Sequence, residues 1–271
     1  MIKLYLLLLF TTAVLTTPTY LVASPAITQS TCLSTSFANT YDATAAVRKV
    51  HDGDTLQLNN GRKVRLIGIN TPELARGYKA AEPFAIAAKK ALTDLFSKNK
   101  TIKLRYGDES KDHYGRYLAH GFLANGQNIQ VTLLDRGLAS AIVIPPNTNF
   151  SDCYLKHEKK ARCNKAGLWK HTKILDAKKL KQQHTGFHLI QGNVKSIRTN
   201  NKGIWLNIDN MLTVGIRHEN IHLFDADSIY KMRHHSITVR GWINKSNRQT
   251  PYYLRIRHPA SIQLSETFAC N

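Results

Sequence analysis

Between residues 46 and 66 apolar and polar residues alternate in three short runs, "AVRKV", "TLQLN" and "RKVRLIGI", the last two separated by Asn59-Asn60-Gly61. A period of two broken by an Asn-Gly turn is the pattern of a β-hairpin, because strand side chains point alternately to opposite faces. Strands this short are not stable alone and must pair with further strands or pack under helices. The residues that follow supply both. "EPFAIAAKKALTDLF" sets Phe84, Ala87, Ala88, Ala91, Leu92 and Leu95 at helical spacing, with Pro83 near the first turn. "TIKLRY" and "RYLAHGFL" return to the strand pattern. "NIQVTLLDRGLA" reads as a second helix closed by Gly137, and "SDCYLKHEKKARCNKAGLW" as a third. Residues 44–170 therefore read as a mainly β domain, a small closed barrel with flanking helices.

Residues 171–186 are Lys-rich, without aromatic residues, and read as a basic linker or exposed helix. From 187 to 271 the pattern is almost wholly strands ("HLIQGNVKSI", "GIWLNI", "LTVGI", "SITVRGWI", "YYLRIRH", "SIQL"), which implies a second all-β domain, with an OB-like form as one candidate. No sequence repeat relates the two halves.

The N-terminus, "MIKLYLLLLFTTAVLTTPTYLVASPA", has one lysine, an apolar stretch and small residues at Ala23 and Ala26. It reads as a signal peptide over 1–26, since the apolar run is shorter than the roughly 20 residues that cross a bilayer. The expectation is export to a periplasm or the extracellular space, with no membrane span in the mature chain. Cys32, Cys153, Cys163 and Cys270 form an even set suited to two disulfides, and no Cys-x-x-Cys pair suggests a zinc ribbon. Cys153 and Cys163 would lie about 15 Å apart along one helix and so cannot bridge each other. The expected pairs are Cys32 with Cys153 and Cys163 with Cys270.

Thirty-eight Lys and Arg against 18 Asp and Glu give a formal charge of +20, spread along the chain. A hydrophobic content of 42% excludes a disordered chain, so the charge decorates a globule whose leading class of partner is a polyanion, nucleic acid foremost. Chemistry concentrates in three places. Asp52-Gly53-Asp54 puts two carboxylates around a glycine suited to a turn, a hard-cation donor set. "RLIGINTPE" carries Arg65 at its start and Asn70, Thr71 and Glu73 where Pro72 ends the strand. "DHYGR" sets Arg116 after a glycine at the start of another strand.

In that order and spacing, "DGDT" at 52–55, "RLIGINTPE" at 65–73 and "DHYGR" at 112–116 resemble the thermonuclease, or staphylococcal-nuclease-like, family, over about residues 44–170 including "GLW" at 167–169. The resemblance implies a five-stranded OB-fold barrel and a calcium-dependent phosphodiesterase acting on DNA and RNA with low sequence specificity. It implies Asp54, Asn70 and the Thr71 carbonyl as Ca2+ ligands, with Asp52 a weaker candidate. Glu73 falls at the proposed general base, and Arg65 and Arg116 at phosphate-binding arginines. The chemistry is consistent: water attack on a phosphodiester needs a proton acceptor and compensation of charge on the phosphate oxygens, and arginine offers the fork that lysine lacks. The chain is expected to act as a monomer.

Two departures stand out. Asn70 replaces the usual aspartate, removing a formal charge while keeping an oxygen ligand, which predicts weaker Ca2+ affinity and retained activity. His113 stands where Lys or Arg is more frequent, and His120-Gly121 interrupts a more apolar strand. Tyr78, in "LARGYKAAEPF", and Tyr114 are candidates to stack on bases. The pairs His234-His235 and His218/His222 lack companion ligands and read as structural. In the second module Trp205, Trp242, Tyr252 and Tyr253 stand among Arg240, Arg248, Arg255 and Arg257, either a substrate-holding face or a core. The competing reading of the whole chain is an OB-fold nucleic-acid binder of the cell envelope whose catalytic centre has decayed, for which Asn70 is the supporting feature.

Overall fold

The computed structural model describes Cys32 and residues 40–270; the expected leader at 1–26 lies outside them. The three opening runs form β1 (Ala43–Val50), β2 (Thr55–Leu58) and β3 (Lys63–Leu66), followed by a two-residue β4 (Ile69–Asn70). Next come α1 (Ala85–Asp94), β5 (Thr101–Lys111), β6 (Tyr117–Leu123), α2 (Ile129–Asp135), β7 (Ser140–Ala141) and α3 (Ser151–Cys163). The strands close in the order β1-β2-β3-β6-β5, antiparallel except for the parallel β3–β6 pair. Alternation decides the interior: Leu56, Leu58, Val64, Leu66, Ile102 and Leu104 point in and are buried, capped by Leu92 of α1 and Leu133 of α2. Each such side chain contributes about 1.5–3 kcal/mol relative to exposure. Asn128 caps α2, its side chain accepting from Val131 N at 3.0 Å, and Gly137 closes the helix at φ +62°.

"GLW" forms a 3-10 turn, Gly167–Lys170. Within 171–186, β8 (Leu175–Asp176) pairs parallel with the next strand, and Ala177 and Leu180 are buried in the second core. Part of the stretch read as a linker is thus built into the second sheet. The second module continues with β9 (Gly186–Asn200), β10 (Gly203–Ile208), β11 (Leu212–Arg217), a 3-10 turn at His218–Leu223, α4 (Ala226–Lys231), β12 (Ser236–Lys245), β13 (Tyr252–Ile256), β14 (Ile262–Leu264) and α5 (Ser265–Phe268), and its sheet is made of β8 to β14. Its pairs run β9-β10-β11-β13-β12 and back to β9, with β11–β13 the parallel one. This is the connectivity of the first barrel. The fold is therefore mainly β with few helices: two closed five-stranded barrels, the first of OB type and the second with the same strand order. The two barrels reach that order with different residues, so the sequence shows no repeat.

The barrels meet through α3 and α5. Ala161, Trp169, Leu189 and Phe268 form a small shared core, and Arg162 donates to Phe268 O at 2.7 Å. Cys32 is bonded to Cys153 and Cys163 to Cys270, so α3 is tied to the N-terminal arm at one end and to the C-terminus at the other. Among the described residues no helix is long and apolar enough to cross a membrane. The structure places several candidates of the second module. Tyr252 is core, and His218 and His222 lie in a 3-10 turn. Arg240, on the outer face of β12, is buried against α3 because the first barrel covers that face.

His120 is buried where β6 meets α3: its Nδ1 lies 2.8 Å from the Tyr154 hydroxyl, its ring packs edge-on to Phe150, and its Nε2 has no partner among the described residues. Burial, and then the charge of Arg105, pull its pKa from 6.5 down to about 3. The unfolded chain then binds the proton more readily between these values, so stability is full above pH 6.5 and is lost as pH falls toward 3. Chemical denaturation at about pH 4.5 should show up to about 2–3 kcal/mol less stability than at pH 7.5, and His120→Leu should remove that part of the difference.

Candidate active site

The turn after β1 brings the first carboxylates together. Asp52 Oδ1 accepts from Asp54 N at 3.0 Å, folding the turn back on itself. Gly53 is required for room and not for backbone freedom: a Cβ there would lie 2.7 Å from both Ala88 Cβ and Thr71 Oγ1. This close approach sets the turn against the strand end at residue 71. Asp54, buried, accepts at Oδ2 from Thr71 N at 3.0 Å and Thr71 Oγ1 at 2.8 Å, and at Oδ1 from Thr55 Oγ1 at 3.2 Å. The β2–β3 register pairs Thr55 with Arg65, which puts the Arg65 guanidinium beside Asp54, Nη1 to Oδ2 3.0 Å.

Arg65 is fixed further by Leu66 O, 2.7 Å from Nη1, and Ile69 O, 3.1 Å from Nη2. Its Nε–H and one Nη2–H stay without a protein partner among the described residues, a parallel pair of donors suited to a phosphate. Arg116 is positioned from a different loop. Asp112 Oδ1 accepts from the Tyr114 and Arg116 amides, Gly115 takes φ +76°, and Asp112 Oδ2 receives Arg116 Nε at 2.7 Å. A longer contact, 3.4 Å, joins Arg116 Nη1 to Thr55 Oγ1. Burial pushes the Asp112 carboxyl up, but the hydrogen bonds and charge of Arg116 outweigh it and hold the group low. Asp112 is a positioning residue within "DHYGR", and its spacing of four from Arg116 across a glycine turn was the signal for it.

Asn70 reaches the site because β4 pairs with β7, Asn70 opposite Ser140. Glu73 begins the following loop, closed by Glu82 N donating to Glu73 O at 2.8 Å and Glu73 N to Glu82 Oε2 at 3.1 Å. Asp52, Asp54, Arg65, Asn70, Glu73 and Arg116 all line one cleft of about 1060 Å³. Tyr114 lines it too, its ring under Arg116 at 5.5 Å. Tyr78 does not: it stands fully exposed in the loop beyond Glu73. Arg76 and Lys63 also line the cleft, as do Trp242, Tyr253, Arg255 and Arg257 from the second barrel.

Two carboxyl groups in the cleft are held above their ordinary range. Burial, outweighing Arg65 and reinforced by Asp52, raises the Asp54 pKa. Burial and then Asp54 and Asp52 hold the Glu73 carboxyl above the ordinary range. The carboxylate oxygens of Asp52, Asp54 and Glu73 do not form a tight trio; among the described residues the one such group of His, Cys, Asp and Glu atoms is Cys32, Cys153 and His157, whose sulfurs are bonded to each other. The donors available to a cation in the cleft are hard oxygens, the carboxylates of Asp52, Asp54 and Glu73 and the Asn70 side-chain carbonyl, while Thr71 is buried behind Asp54 and is not among the residues lining the cleft. Such a set fits a hard divalent cation that keeps water or phosphate in its remaining positions.

The model of the family described as "Staphylococcal nuclease homologue" matches residues 63–171. Thermonuclease of Staphylococcus intermedius is 35% identical over 130 residues, 45% of this chain and 74% of that protein. The chain belongs to the staphylococcal nuclease homologue family. Thermonuclease of Staphylococcus hyicus is 30% identical over 139 residues, covering 81% of its length, and endonuclease YncB of Bacillus subtilis 35% over 123 residues, covering 57%. The family match ends at residue 171, before the closed strands of the second barrel.

Proposed function

We propose that the chain, a nuclease by its family, is an exported, calcium-dependent phosphodiesterase that hydrolyses DNA and RNA with little sequence preference. The observation that carries this reading is the convergence of Glu73, Arg65 and Arg116 on one cleft with Asp54 and Asn70, Thr71 being bonded to Asp54 through its amide and hydroxyl. Glu73, with its raised carboxyl, accepts a proton from the attacking water. Arg65 offers its Nε/Nη2 edge to non-bridging oxygens, held in place by Asp54 and two carbonyls. Arg116, clamped by Asp112, turns its terminal nitrogens to the oxygen that becomes the leaving group. A Ca2+ held by Asp54 and Asn70 would supply Lewis-acid neutralisation of phosphate charge. Contacts of this kind go to the backbone, which underlies the breadth of substrate. Two disulfides and the N-terminal apolar run support an oxidising, exported destination.

The test is digestion of plasmid and of RNA by mature protein with Ca2+, with Mg2+ and with chelator. Cleavage with Ca2+ that chelator abolishes is expected. Binding without cleavage under every condition would instead select the decayed binder that Asn70 favours.

A further inference from the structure

The cleft has a second wall. β12 and β13 bring Trp242, Asn244, Tyr253, Arg255 and Arg257 to the cavity that Asp54, Glu73 and Arg116 line. These side chains leave the barrel outward, since the alternating Ile243, Tyr252, Leu254 and Ile256 are buried in its core. The register sets Trp205 opposite Gly215 and Gly215 opposite Arg255, a row of ring, gap and guanidinium. The gap is needed: a Cβ at Gly215 would come within 2.8 Å of the rings of Trp205 and Tyr253, whose centroids are 6.4 Å apart.

This wall is short of acceptors. Arg255 Nη2 meets Glu219 at 2.6 Å, and Arg257 makes no ion pair among the described residues. Burial and then the charge of Arg255 pull the Arg257 guanidinium below its ordinary value. Arg217 Nε, Arg255 Nε and the Tyr253 hydroxyl, on the adjacent strands β11 and β13, are buried with no hydrogen-bond partner among the described residues, and Tyr253 and Arg255 also line the cleft. Beside them Trp242, 39% exposed, leans edge-on to Phe187 at 5.0 Å and keeps part of its ring toward the cleft. With the one carboxylate of Glu219 against the guanidiniums of Arg255 and Arg257, the wall keeps a surplus of positive charge, and beside an accessible indole this matches a chain of phosphates carrying planar bases.

We propose that the outer face of the C-terminal barrel is a second subsite for a single nucleic-acid strand, DNA or RNA. Arg255 and Arg257 take a backbone phosphate away from the scissile one, and Trp242 stacks on a base. The subsite rests on the reading that the cleft accepts nucleic acid, yet it needs no cleavage.

The experiment is fluorescence anisotropy of mature protein in chelator with labelled oligo-dT and oligo-U of about 3 to 12 nucleotides. Affinity should rise with length in the wild type, for either sugar. In Arg255→Ala/Arg257→Ala the longer oligomers should bind about tenfold or more weakly. The slope of log affinity against log salt should become shallower by about 0.7 for each phosphate contact removed. Trp242→Leu should weaken binding by about five- to a hundredfold, the range of one base stack, with the salt slope kept. Arg257→Lys, which retains the charge, should restore part of the slope. Should the double variant fail to fold, Arg257→Ala alone carries the test. Wild-type affinity and slope in the arginine variants overturn the subsite. So does a loss that appears equally with inorganic polyphosphate while Trp242→Leu changes nothing, which marks a general polyanion patch. Cleavage with unchanged slopes refutes the subsite and spares the nuclease; altered slopes without any cleavage do the reverse.

Discussion

Glu73→Gln should lower the rate of DNA hydrolysis by about 10²–10⁴-fold, the usual contribution of a positioned proton acceptor, and leave the thermal midpoint nearly unchanged. The Glu73 backbone is held in place by its bonds to Glu82, which glutamine preserves. The pH profile tests the role as well. With the Glu73 carboxyl held above the ordinary carboxylate range, the reactive anion is lost as pH falls through that raised value, so kcat/KM should decline on an acid limb above the usual carboxylate region. That limb should disappear from the residual activity of Glu73→Gln. Arg116→Ala should cost about 10²–10³-fold, as for removal of one donor to the transition state, and Arg116→Lys should recover little because lysine lacks the fork. The same arginine variant removes the side-chain hydrogen bond and charge that hold Asp112 low while the amide of residue 116 keeps its bond, so the Asp112 carboxyl should rise, and NMR titration of that side chain would show it. Wild-type rates in Glu73→Gln or Arg116→Ala would remove these residues from the mechanism.

The neighbourhood of Asp54 and Arg65 was legible because a hairpin fixes it: the Asn-Gly turn sets the register that faces Thr55 with Arg65, and everything adjacent follows. The arrival of Asn70 was legible only through family resemblance. It depends on a two-residue pairing, β4 with β7, too short to leave any periodicity. Gly53 looked like a turn residue and is a steric one, since what limits it is α1 and Thr71, distant in sequence. Tyr78 and Tyr114 show a similar limit. Both are tyrosines in polar loops, and only the tertiary path of each loop decides that one enters the cleft and the other faces solvent. The second wall was out of reach in detail because alternation in β12 and β13 tells which residues leave the barrel, not what they meet there.

Arg240 is the sharpest case of that last point, and it carries the largest expected loss of stability. In the sequence it stands among the arginines of a candidate substrate-holding face; in the fold it is buried, with Nη1 2.6 Å from Glu158 Oε2 and 3.0 Å from Ala141 O. Glu158, also buried, accepts from Ala141 N at 3.1 Å through its other oxygen. Ala141 belongs to β7, whose neighbour Ser140 faces Asn70, so the second barrel holds the strand on which a candidate ligand depends. Arg240→Met should destabilise the protein by about 3–5 kcal/mol, because it strands a buried carboxylate, and not because the pair itself is worth that much. The double variant Arg240→Met/Glu158→Gln should be more stable than Arg240→Met alone: glutamine keeps the acceptor for Ala141 N and removes the stranded charge. Denaturant unfolding of the two single variants and the double completes the cycle, and a purely additive result would refute the coupling. A stable Arg240→Met protein with normal unfolding would mean that the second barrel does not brace β7 through this pair.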